Sequence, residues 1–173
     1  MLSLEPWDES GFAILEACNS PDMTLHLGGP ESPEKLADRH RRYLAYSASH
    51  TEAWPFRVLL DGEAVGSVGY WDDEETFEMG WATLPAFQGR GLARAAIGLA
   101  LDHAAVNGLR NTVAANPSVT NLASNAVARA AGFELHGVRD IEYPKGQVMR
   151  ANLWVYDLRG RHAIRRSSSA DSA

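Results

Sequence analysis

Residues Thr76 to Asn107 read TFEMGWATLPAFQGRGLARAAIGLALDHAAVN, and this stretch decides what the rest of the chain can be. It predicts a strand over Thr76–Leu84, a short connector, and a helix from Gly91 to about Asn107 with Gly108 as its terminating glycine. Gln88-Gly89-Arg90-Gly91-Leu92-Ala93 stands at the helix entrance. Glycines there let a ligand come close to the backbone, and the first N–H groups of a helix have no partner inside it. Arg90 and Arg94 fall in or near the first turn, and no acid follows until Asp102. Positive charge at this end costs about 0.3–1 kcal/mol unless an anion offsets it. A bound phosphate or pyrophosphate is the reading that reconciles the two.

Upstream, Asp61-Gly62 joins two apolar, β-branched runs, Trp54–Leu60 and Glu63–Trp71, and two such residues between strands signal a hairpin. Asp72–Glu75 (DDEE) reads as a solvated turn into the quoted strand. Further back, Leu2–Trp7 is a strand, Gly11–Asn19 has helical spacing, and Ser20–Ser32 is a loop rich in Pro, Gly and Asp. Ser32-Pro33-Glu34 is a strong helix start, with a capping hydroxyl, a proline in the first turn and an acid behind it. That helix runs to about Ser47 with Leu36, His40, Tyr43 and Leu44 on one face. In the long helix, Leu92, Ala95, Ala96, Leu99 and His103 form the expected buried stripe. Downstream come a short strand (Asn111–Ala115), a helix (Thr120–Ala131) closed by Gly132, and a hairpin (Phe133–Tyr143, Gln147–Leu158) turning at Pro144-Lys145-Gly146. The order β-α-α-β-β-β-α-β-α-β-β predicts an α/β fold with a mixed, mostly antiparallel seven-stranded sheet and about four helices. Residues 1–159 form one domain, and 160–173 read as a polar, serine-rich disordered tail.

Composition narrows the function classes. A net charge of -6 argues against nucleic-acid binding, which needs a basic surface. Cys18 is the single cysteine, so no intrachain disulfide or cysteine metal cluster can form, and the six histidines lack metal-ligand spacing. No apolar run approaches the roughly 18 residues of a membrane span. The early acids of MLSLEPWDES do not make a secretory signal, and a cytoplasmic protein is expected.

Two nucleotide motifs fail on the glycines. The third glycine of G-x-G-x-x-G falls on Arg94, and no Gly-Lys-Ser/Thr follows for a P-loop. The chain instead resembles the GNAT superfamily of acyl-CoA-dependent N-acetyltransferases. Gln88-Gly-Arg-Gly91-Leu-Ala93 matches that family's Gln/Arg-x-x-Gly-x-Gly/Ala, and Asn121-Leu-Ala-Ser124-Asn-Ala-Val127 with Gly132-Phe133 matches its second element. MTLHLGGPESPEKLADRHRRYL, near the N-terminus, resembles the branch of ribosomal-protein N-terminal (alanine/serine) acetyltransferases.

The resemblance implies acetyl-CoA as cosubstrate and no metal. Gln88, Gly89, Arg90, Gly91, Leu92 and Ala93 would hold its pyrophosphate, with Asn121 and Ser124 completing the site. The pantetheine arm would lie beside Trp81, Ala82 and Thr83, which requires this strand to part from the next. Thr83 N–H is then placed to polarise the thioester carbonyl. Glu78, on the same strand as Gly80 and Ala82 and on their face, is the candidate base; its bland alternative is a strand glutamate in a salt bridge. Many relatives carry a proton-donating tyrosine where this chain has Ala128, which leaves Ser124 as the nearest substitute. Asn121 could equally be a helix cap and Ser124 a packing residue. The acceptor is an amine: a protein N-terminus, or a small cationic amine of antibiotic or polyamine type. Residues Ser20 to Ser47 should wall its site. A non-catalytic acyl-CoA-binding module and a homodimer both stay open.

Overall fold

Weak alternation makes Leu2–Pro6 the first strand, β1. Asp8 then caps a short 3-10 turn, its carboxylate accepting from the Ser10 amide at 2.9 Å, and α1 (Phe12–Cys18) follows. The loop of residues 20–32 leads to α2 (Pro33–Ser49), whose Ser32 cap and first-turn proline and acid stand as the sequence required. Asp61 and Gly62 take φ of 52° and 87°, and so turn β2 (Ala53–Leu60) tightly into β3 (Glu63–Asp73). Next come β4 (Thr76–Thr83), α3 (Leu92–Asn107), β5 (Thr112–Ala115), α4 (Leu122–Ala130), β6 (Glu134–Glu142) and β7 (Val148–Asp157). This computed structural model describes residues 1–107 and 109–161. Gly108, expected to end α3, and the tail from His162 onward lie outside the described residues.

The seven strands form one sheet in the order β1-β2-β3-β4-β5-β7-β6. All neighbours are antiparallel except β4 and β5. The larger core lies between the sheet and α3 with α4, where Tyr70, Phe77, Ile97, Leu101 and Val113 are sealed from water. On the other face α1 and α2 bury Trp7, Ile14, Leu15 and Leu36. The buried His40 belongs to this second cluster: Trp7 Nε1 donates to its Nδ1 at 3.1 Å, and its Nε2 faces Glu9 at 3.2 Å.

Two sequence expectations need correction. The buried stripe of α3 is Ala96, Ile97, Ala100, Leu101, Ala104 and Ala105, while Ala95, Leu99 and His103 face outward. The helix is apolar nearly all round, so its period could be read in more than one phase. His103 is still engaged, its Nδ1 2.7 Å from the Tyr70 hydroxyl and its ring edge-on to Phe56 at 4.9 Å. Asp72 and Asp73 belong to β3, not to a turn. Asp72 is bridged twice by Arg110, at 2.6 and 2.8 Å, which ties the end of β3 to the approach of β5.

Candidate active site

Between β4 and α3 the chain makes one 3-10 turn, Pro85–Phe87, and then extends at Gln88. Gly89 and Gly91 have φ of 73° and 75°, a region that L side chains enter only with strain. A Cβ at either would meet nothing within 4 Å, so backbone conformation, not crowding, calls for glycine there. The amides of residues 89–94 donate no backbone hydrogen bond among the described residues; the first to do so is Ala95, to Gly91 O at 3.1 Å. Alternating backbone handedness ahead of a helix gathers such N–H groups into an anion cradle. The Arg90 guanidinium rests over the Phe87 ring at 5.6 Å, beside it. The Gln88 side chain acts differently: its Nε2 donates to Thr83 O at 3.1 Å and to Met23 Sδ at 3.3 Å. It holds the end of β4 to the loop of residues 20–32.

The expected parting of strands is present. β4 pairs with β5 only at Phe77–Val113 and Glu78–Ala114. Its other edge stays paired with β3 as far as Thr83, opposite Gly66. From Met79 to Thr83, β4 therefore has one edge without a strand partner among the described residues, and backbone groups there are available to an amide-bearing ligand. Trp81, Ala82 and Thr83 meet Leu92 and Ala93 across an apolar seam too narrow for water. Gly66 makes the close approach of β3 here feasible, because a Cβ at that position would lie 2.2 Å from Ala82 O.

Asn121 caps α4, accepting from the Ser124 amide at 3.0 Å, so the cap reading of this residue holds. The Ser124 hydroxyl makes no hydrogen bond among the described residues and is half-buried. Ala128 is enclosed in the core and receives the Phe133 amide on its carbonyl at 3.1 Å. One turn after Asn121, the buried Asn125 binds four groups. It donates to Ser118 O (2.9 Å) and Asn121 O (2.8 Å), and accepts from Asn152 Nδ2 (2.7 Å) and Trp154 Nε1 (2.8 Å). Asn125 thus fixes the turn that carries Asn121 and Ser124 onto β7. Its signal in the sequence was an amide on the apolar face of a short helix.

Glu78 lies on the sheet face opposite α3, in register with Trp71 of β3. No salt bridge holds it among the described residues. Its Oε1 accepts from Asn116 Nδ2 at 3.0 Å, and Asn116 Oδ1 accepts from Arg139 Nε at 3.0 Å. The Trp71 ring is partly exposed and covers Gly80, where a Cβ would sit 3.5 Å from it. Sequence reasoning missed Asn116 and Arg139. An asparagine directly after an apolar strand and before a proline was the available hint. Arg110 holds the Asp72 carboxyl below the usual carboxylate range, chiefly through its hydrogen bonds.

The loop of residues 20–32 borders the same region. Asn19 closes its base with reciprocal bonds to the Glu31 backbone, 2.9 and 2.8 Å. Met23 touches Gln88, His26 Nδ1 shares a hydrogen bond with Thr120 Oγ1 at 3.0 Å, and Gly28 abuts Pro144. It thereby contacts the head of α3, the approach to α4 and the β6–β7 turn. Behind it, between α1 and α2, lies an open cleft of about 330 Å³ bordered by Phe12, Glu16, Asn19 and Glu31. No group of acids, histidines or cysteine suited to a metal ion occurs among the described residues, and no described helix is long and apolar enough to cross a membrane.

Residues 2–134 match the family model described as an acetyltransferase (GNAT) domain. Among solved structures, the Salmonella typhimurium acetyl transferase that modifies the N-terminal serine of 50S ribosomal subunit protein L7/L12 is similar with a TM-score of 0.77 and 22% identity, over 90% of this chain and 94% of that one. Aminoglycoside acetyltransferase AAC(6')-Ib in complex with coenzyme A gives a TM-score of 0.74 at 22% identity, over 96% and 99% of the two chains. The microcin C7 self-immunity acetyltransferase MccE, in complex with acetyl-CoA and AMP, gives 0.73 at 19% identity, over 90% and 92%. A comparison with curated protein sequences finds no match. At these identities the structural likenesses establish a shared fold.

Proposed function

This chain belongs to the GNAT acetyltransferase family and is an acetyl-CoA-dependent N-acetyltransferase, and from that premise we propose which residues carry the transfer and which amine receives the acetyl group. One observation carries the reading. The free edge of β4 between Met79 and Thr83 runs directly into the cradle of unpaired amides at residues 89–94. A ligand with amides along an arm and a pyrophosphate at its end satisfies both at once. Residues 88–93 hold the pyrophosphate, Trp81, Ala82 and Thr83 flank the arm, and Asn121 and Ser124 form the opposite wall.

Acetyl-CoA supplies an activated acetyl thioester. On the protein side, Glu78 takes a proton from the attacking amine, directly or through one water, as the C–N bond forms. Thr83 N–H donates to the carbonyl oxygen as charge develops on it. The C–S bond then breaks, and the Ser124 hydroxyl, which has no other partner among the described residues, donates a hydrogen bond to the leaving thiolate. The acceptor we favour is a protein or peptide N-terminal amine, supported by the resemblance of residues 23–44 to the ribosomal-protein branch. A second reading, a small cationic amine, is favoured by the partly exposed Trp71 beside Glu78, because an indole face attracts ammonium groups.

Free-thiol release over a panel of peptides, aminoglycosides and polyamines decides between the acceptors. Turnover restricted to peptides supports the first reading, and turnover restricted to small amines the second. Binding of acetyl-CoA with no turnover on any amine would identify a binding module instead. Calorimetry with desulfo-CoA tests the cradle: Gly91→Glu should abolish binding, and an unchanged affinity would refute the assignment.

A further inference from the structure

Resting on the assignment of Glu78 as base, we propose that Asn116 and Arg139 are positioning residues for the transfer. In this arrangement Arg139 fixes which way the Asn116 amide faces, and that amide anchors one oxygen of Glu78 while leaving the other free for the amine. An asparagine amide has a donating and an accepting end, which a half-turn about its last bond exchanges. Its neighbours here remove the choice. A guanidinium only donates hydrogen bonds and an ionised carboxylate only accepts them. Arg139 Nε at 3.0 Å therefore takes the amide oxygen, and the NH2 group is left to face Glu78 Oε1, also at 3.0 Å.

The three residues come from separate parts of the sheet: Glu78 from β4, Asn116 from the end of β5, Arg139 from β6. The backbone beneath Asn116 is pinned. The Asn152 amide donates to Pro117 O at 3.0 Å, and Ser118 bridges Ala151 of β7. Glu78 Oε2 has no hydrogen-bond partner among the described residues. Without Arg139 the amide is free to turn and set its oxygen against the carboxylate, which displaces the base. Arg139 itself is exposed, so its removal opens no hole in the core.

The test uses steady-state kinetics with the fastest acceptor from the amine panel, and calorimetry with desulfo-CoA as a check on folding. Asn116→Ala should lower kcat about tenfold or more, the scale of one hydrogen bond to a charged group, with the KM for acetyl-CoA unchanged. Arg139→Met should lower kcat about fivefold with the same split, and Arg139→Lys, which keeps a donor, should restore most of it. In a Glu78→Gln background, Arg139→Met should cause no further loss, because the group through which it acts is gone. A kcat that falls with Glu78→Gln but not with Arg139→Met overturns the relay and leaves the base standing. A full further loss from Arg139→Met on top of Glu78→Gln does the same. Turnover unimpaired by Glu78→Gln, or absent on every amine of the panel, overturns both.

Discussion

Replacing Asn125 by alanine should destabilise the fold by about 3 kcal/mol, and the figure follows from the fate of each partner. Trp154 Nε1 is buried and has no other acceptor among the described residues, so it becomes an orphaned donor, at about 1–3 kcal/mol. Ser118 O and Asn121 O keep one bond each, from the amides of Asn121 and Asn125, and lose only the net worth of a second, about 0.5–1.5 kcal/mol apiece. Asn152 is half-buried and can turn to water. Alanine returns about 0.5 kcal/mol as the better helix former. Urea unfolding of the wild type and variant should show the midpoint fall with an unchanged slope, and the melting temperature should drop by about 6–12 °C for a chain of this size. Asn125→Asp should be worse at neutral pH, since it points a carboxylate at two carbonyl oxygens. A loss below about 1 kcal/mol for Asn125→Ala would refute the claim that this amide organises the α4 end of the site.

Three further outcomes follow from the same structure. Gly89→Ala should weaken desulfo-CoA binding about tenfold or more by calorimetry, because φ of 73° carries roughly 1–2 kcal/mol of strain for an L residue, while circular dichroism stays unchanged. Burial pushes the Cys18 thiol up to about 11, against the opposing pull of the Arg39 charge. Cys18 should therefore react with a chromogenic disulfide at pH 8 only after urea is added. Desolvation, with a smaller contribution from His50, holds His103 below the ordinary histidine value. The neutral ring is thus favoured by folding: its contribution is complete above about pH 6.5 and is lost as pH falls toward the folded-state value. The melting temperature should decline more steeply below about pH 6.5 in the wild type than in His103→Gln.

Much of this molecule could be read from local chemistry. The Asp61-Gly62 turn, the Ser32-Pro33 helix start and the Gly132 stop each have one physical solution, so the order of elements followed from them. The cradle was legible because two positive-φ positions two residues apart, Gly89 and Gly91, leave few alternatives to glycine. The phase of α3 was not legible, since Ala, Leu, Ile, Val and Gly fill most of the helix and Arg94, Asp102 and His103 are too few to mark one continuous polar face. Asn116 and Arg139 were hidden for another reason. Their roles arise from contacts 38 and 23 residues apart in the chain, which no local pattern encodes. Asp72 was misread as a solvated turn residue because its partner, Arg110, lies 38 residues away.

The two-pair contact between β4 and β5 has a mechanical consequence. Strands β1–β4 and β5–β7 are two half-sheets, and along that boundary they share less backbone than any other neighbours in the sheet. A cosubstrate whose arm runs along the free edge of β4 acts there as a rivet between the halves. Resistance to heat, to proteolysis and to pulling should then rise with its concentration, by about 2.7 kcal/mol at a hundred times its Kd. The supply of acetyl-CoA would set how long the folded protein lasts as well as how fast it turns over.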